Sequence, residues 1–162
     1  MKEYVEKMIK EYPDMKFERS CLLNQMKSLK ITEDDVIYSM CFSHPEGERV
    51  QTSGLSDKTA KVALSFRDRQ RQMEEERYNF LFDKYQHLDE EITFLEETIA
   101  DIPGEIGEIM SELVIKGDTW ENVCFSHCIG THKLSDMRKQ GIKILIRAYQ
   151  RRESMVASYL LS

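Results

Sequence analysis

Residues 124–132 read CFSHCIGTH. Two cysteines and two histidines fall within nine positions, and two readings compete for them. In one, Cys124, His127, Cys128 and His132 surround a structural zinc ion. In the other, the stretch is a tight turn between two helices that carries soft side chains. Structural zinc sites draw paired ligands from two separated knuckles, and this spacing matches no standard pattern of that kind. On a helix Cys124 and Cys128 share a face with His127 near them, but His132 falls beyond the turn. The turn reading therefore leads. Cys124 and Cys128 act as small apolar residues under the following helix, and His127 as a core or boundary histidine.

The flanking residues extend this reading. Upstream, Ile106, Ile109, Met110, Leu113 and Val114 share one face of a helix over 103–116. Pro103 is placed in its first turn. KGD (116–118) ends it: Gly117 can take the left-handed conformation, and Asp118 or Thr119 caps the next helix. TWENVCFSH (119–127) is a short helix, followed by a turn around Cys128–Gly130. A third helix runs from Thr131 past Tyr149, with Leu134, Met137, Gly141, Leu145 and Ala148 inward. Helix, short helix, tight turn and basic helix is the order of a helix-turn-helix, whose last helix lies in the major groove.

GDTWENVCFSHCIGTHKLSDMRKQGIKIL (117–145) resembles the region-4 domain of sigma-70 factors, in the version carried by phage and prophage transcriptional regulators of the ArpU and RinA type. Trp120 fills the aromatic position before the second helix, and Val123 its buried position. Ile129 follows the turn, and Leu134, Arg138, Lys139 and Ile142 stay in register. EYPDMKFER (11–19) and VQTSGLSDKTAKVAL (50–64) resemble the helical front half of the same regulators. Three positions depart from the pattern. His127 stands where a buried Leu is usual, and Gly130 where a Ser caps, with Thr131 next to it. Cys128 stands where Gly is usual, and a Cβ in the left-handed conformation costs roughly 1 kcal/mol. The resemblance implies a sequence-specific, DNA-binding regulator of transcription with RNA polymerase as a possible partner.

On that reading Thr131, His132, Ser135, Asp136 and Lys139 face base edges, while Lys133, Arg138 and Lys143 suit phosphates. Arg147, Arg151 and Arg152 lie beyond one groove crossing and meet a partner or the acidic N-terminal half instead. Charge supports the reading locally rather than in total. The 162 residues carry a net charge of −6. Residues 1–100 account for all of it, and 101–162 are neutral. Within 130–152, seven basic residues face Asp136 alone, a net of +6. That is an electrostatic footprint for nucleic acid.

The front half reads as helices too. Gly (7) and Pro (3) are scarce, so long elements and an all-α fold are expected. Residues 2–29 repeat apolar positions at three- and four-residue steps, and Pro13 should kink or divide that run. Thr32 before three acids caps a short helix over 33–40. Residues 41–54 form a loop, and Ser56 caps the longest helix, 57–100. Tyr78, Leu81, Tyr85, Leu88, Ile92, Leu95 and Ile99 form a heptad seam on it. The seam packs on the N-terminal helix of its own chain, against a second copy as a homodimer, or both. The break at 100–105 separates a partly coiled-coil helical hairpin (1–100) from the three-helix DNA-binding domain (101–162).

No Gly-rich phosphate loop, nucleophile elbow or HExxH pattern is present, so neither an enzyme nor a cofactor is expected. The charged N-terminus lacks a signal-peptide stretch and no apolar run spans a bilayer, which points to a cytoplasmic protein with free thiols. The alternative is a non-enzymatic protein–protein interaction module that uses the acidic heptad helix.

Overall fold

The computed structural model describes residues 1–42 and 55–160. Six α-helices account for nearly all of them, and no strand occurs among the described residues. They are α1 (Lys2–Lys27), α2 (Glu33–Phe42), α3 (Leu55–Ala100), α4 (Glu105–Met110), α5 (Trp120–Ser126) and α6 (Thr131–Leu160). The last turn of α4 widens into a π-helical segment, Ser111–Lys116. The expected loop at 41–54 lies outside the described residues except for Cys41 and Phe42, which belong to α2. No helix among the described residues is long and apolar enough to cross a membrane.

The chain forms two compact units, Met1–Arg19 with His87–Ser162, and Ser20–Gln86. The break expected at residue 100 therefore falls inside the first unit, where α4–α6 fold together with the start of α1 and the end of α3.

Two apolar clusters hold the first unit. The larger joins Val5 and Tyr12 of α1, Ile92, Leu95 and Ile99 of α3, Met110 of α4, and Leu145 and Tyr149 of α6. Tyr149 meets Tyr4 and Phe94 edge-on, with ring centroids 5.6 and 4.8 Å apart. Polar contacts rim the cluster. Tyr12 donates to Glu96, Tyr4 donates to Glu91 at 3.0 Å, and Arg19 pairs with Asp89 at 2.7 Å. Burial and the bond to Glu91 push the Tyr4 phenol up to about 12. The seam from Leu88 to Ile99 thus packs within its own chain. Earlier on α3, Tyr78 stays exposed while Leu81 is buried in the second unit.

Pro13 does not divide α1, which runs unbroken from Lys2 to Lys27. Pro13 faces solvent, whereas Val5, Met8 and Tyr12 before it are buried, and Leu22 is buried after it. Burial of about 1.5–3 kcal/mol per large apolar side chain outweighs the roughly 3 kcal/mol cost of an interior proline.

In the second unit Thr32 and Asp35 cap α2 reciprocally. The Asp35 backbone N–H donates to Thr32 Oγ1 at 3.3 Å, and the Thr32 N–H donates to Asp35 Oδ2 at 3.0 Å. The Thr32 hydroxyl, which donates to Asp35 Oδ2 at 2.7 Å, and then the Thr32 N–H hold the Asp35 carboxyl below the usual carboxylate range. Gln70 donates to the Ile31 carbonyl, and Arg69 to Ser39 Oγ. Helix α3 begins at Leu55, so Ser56 lies inside it rather than at its cap.

Candidate nucleic-acid interface

The chain turns sharply at 101–104 into α4. Gly104 takes φ 71° and occupies the cap position, so Pro103 precedes the helix instead of opening it. Gly107 sits where any Cβ would lie 2.0 Å from the Ile102 carbonyl oxygen, so only glycine permits this approach. After the π-helical segment, Gly117 adopts φ 73° and ends the element. Thr119, not Asp118, caps α5: its Oγ1 accepts the Asn122 N–H at 3.3 Å.

The turn between α5 and α6 follows a defined hydrogen-bond pattern. The Cys128 N–H donates to the Phe125 carbonyl at 3.3 Å, and the Ile129 N–H to the Cys124 carbonyl at 3.0 Å. These are the two bonds of a Schellman helix end, with Cys128 at the position that requires a left-handed backbone. Its φ of 52° makes it the non-glycine residue with positive φ among the described residues. The apolar contact that accompanies such an end is supplied by Cys124 and Ile129, which pack on Ile109, Val123, Leu134 and Met137. This second cluster fastens α5 and α6 to α4.

The four candidate zinc ligands do not converge. Among the described residues no group of His, Cys, Asp and Glu side chains could hold a metal ion. Cys124 is half-buried against the cluster, as expected of a small apolar residue, but Cys128 is exposed. Cys21, Cys124 and Cys128 are free thiols. His127 points back to α4, with Nε2 3.0 Å from Glu112 Oε2 and Nδ1 3.9 Å from Glu105 Oε1. His127 fastens the end of α5 to α4 through its hydrogen bond with Glu112, and Glu105 lies beside the ring. Neither carboxylate stands out in the sequence, because Glu105 and Glu112 come from a segment whose apolar face dominates its pattern.

Helix α6 presents the residues expected to read DNA. Thr131, His132, Lys133, Asp136, Lys139 and Lys143 are exposed, and Ser135 and Arg138 are half-buried. Gly130 occupies the cap position, its carbonyl accepting the Leu134 N–H at 3.0 Å, so Thr131 is the first helical residue rather than a cap. Two of the basic side chains are engaged locally. Lys133 pairs with Glu105 at 3.7 Å and Lys139 with Asp136 at 3.1 Å. Of the expected inward stripe, Leu134 and Leu145 are fully buried, Met137 nearly so, Gly141 packs against Met110, and Ala148 is only half-buried. Arg152 belongs to the fold. It pairs with Glu91 at 2.7 Å and lies 4.6 Å from the centroid of the Phe94 ring. Sequence reasoning left two aromatic side chains of α5 without a surface role, and Phe125 is 87% exposed and Trp120 42%. The only signal for Phe125 is a large aromatic on the outer side of a seven-residue helix.

No protein-family model, no curated protein and no solved structure matches this chain.

Proposed function

We propose that the chain is a DNA-binding regulator of transcription, of the phage or prophage type, in which α5, the turn at Cys128 and α6 act as a helix-turn-helix. The observation that carries this reading is the Schellman end at Cys128, which joins a seven-residue α5 to a long basic α6. A helix presented in this way, with its first turns exposed and its opposite side packed, suits insertion into a major groove. Thr131, His132, Ser135, Asp136 and Lys139 then meet base edges, and Lys133, Arg138 and Lys143 meet phosphates. RNA polymerase and a second copy of the chain are the partners this reading admits.

The test is charge reversal at two positions. Arg138→Glu with Lys139→Glu should abolish DNA binding in an anisotropy titration while leaving the helical circular-dichroism signal and unfolding midpoint near those of the parent. An unchanged affinity in the folded double variant would sink the proposal.

A second reading is a protein–protein interaction module centred on α3. It is favoured by the exposed aromatic side chains Tyr78, Phe80 and Phe82 on that helix. Against it stands the burial of Ile92, Leu95 and Ile99, which removes the later half of the seam from any partner.

A further inference from the structure

Helix α6 continues for thirty residues, well past the turns that would enter a groove. Lys139, Lys143, Arg147 and Arg151 recur at every fourth position and are all exposed. Successive members advance by ~6 Å and rotate only ~40°, so the four form one gently winding ridge about 18 Å long. His132 and Asp136 continue the same line towards the start of the helix, on the side facing away from Gly141, Leu145 and Ala148.

Three features separate this ridge from an ordinary solvated face. No acidic residue occurs between Met137 and Arg152. Among the described residues no carboxylate pairs with Lys143, Arg147 or Arg151, although Lys133, Lys139 and Arg152 all have such partners. Every exposed residue of α6 from 139 to 154 is polar or charged. A protein-binding surface needs aromatic or aliphatic anchors at its centre. The ridge itself has none, the exposed Met155, Val156 and Tyr159 lying beyond Arg151 on the side of Ala148, and it offers Lys143, Arg147 and Arg151 as unneutralised cations in a row, which fits a polyanion.

We infer that Lys143, Arg147 and Arg151 grip the phosphate backbone of duplex DNA beyond the groove that the start of α6 enters. The inference rests on the proposed DNA-binding function. A straight helix that enters a groove at one end must leave it across a flanking strand, and Lys143 to Arg151 cover about 12 Å, roughly a third of a duplex turn, from there. Contacts of this kind add affinity and salt dependence without reading sequence.

The experiment is a salt-dependent anisotropy titration of the full chain and of its Arg147→Gln, Arg151→Gln double variant. The probes are a random-sequence duplex and the preferred fragment of the chain's own gene neighbourhood. Loss of two phosphate contacts lowers the magnitude of the log–log salt slope by about 1.8. The variant should weaken binding to both duplexes by the same factor, leaving their ratio unchanged. A parent that binds and a variant whose slope equals the parent's would overturn the inference and leave the DNA-binding reading standing. A variant that loses preference for one fragment would also overturn it, since phosphate contacts carry no sequence information. A parent that binds no duplex at any salt overturns both. An acidic protein as the true ligand would give that last result.

Discussion

Cys128 holds a backbone conformation that its Cβ disfavours, and the bonds from Cys128 and Ile129 to the end of α5 keep it there. Its side chain is exposed and reaches only the Phe125 carbonyl, at 3.7 Å. Nothing in the packing compensates for the strain. Cys128→Gly should therefore raise the urea midpoint, with a gain of about 1 kcal/mol from relief of the left-handed penalty. A lowered midpoint would show that the thiol contributes more than its contacts suggest. Tyr149 presents the opposite case. Its ring is central to the larger core, yet its hydroxyl is buried without a hydrogen-bond partner among the described residues. Burial, and then the nearby Glu91 carboxylate, push this phenol above its ordinary range, so it stays neutral. An unsatisfied buried hydroxyl costs about 1–3 kcal/mol. Tyr149→Phe should leave the thermal midpoint unchanged or raise it. A clear loss of stability would mean that the hydroxyl has a partner, such as a bound water.

At the scale of elements, periodicity made most of the helices legible and local chemistry made their ends less so. The steps from Ile106 to Val114 and from Leu134 to Leu145 placed α4 and α6, because a helix with one buried stripe prints that stripe in its sequence. Cys128 was readable as the left-handed residue because the turn needs one at that position. The ends of α1 and α4 were not. Whether Pro13 breaks a helix depends on what its neighbours bury in distant segments, and Tyr12 meets Glu96 across 84 residues. Likewise the grip of Glu105 and Glu112 on His127 is a tertiary contact with no local signature. Of the interface, the exposure of α6 was legible. The pairing of Lys133 and Arg152 into the fold was not, since their carboxylates lie 28 and 61 positions away. Gly141 tests the packing of α6 on α4. A Cβ there would stand 2.5 Å from Met110 Cγ and 2.6 Å from Sδ, and Met110 is fully buried. Alanine would gain about 1 kcal/mol of helix propensity, against an overpacking cost of about 1–3 kcal/mol. Gly141→Ala should lower the urea midpoint, and a raised one would show that Met110 swings aside freely.

Across the whole molecule, the charge is divided along the sequence rather than spread evenly. Residues 1–100 hold 21 of the 29 acidic residues and 15 of the 23 basic ones, whereas α6 carries seven basic residues against two acidic ones. Part of each set is spent on holding the first unit together, through Arg19 with Asp89 and Arg152 with Glu91. What remains unpaired on α6 gives a chain of net charge −6 one basic face, and the proposed function rests on that face. The most direct test is a fluorescence-anisotropy titration of the intact chain against duplex fragments of its own gene neighbourhood and a random duplex, at several salt concentrations. Affinity should fall steeply with salt and favour one fragment over random DNA. No binding to any duplex, even at low salt, would contradict it.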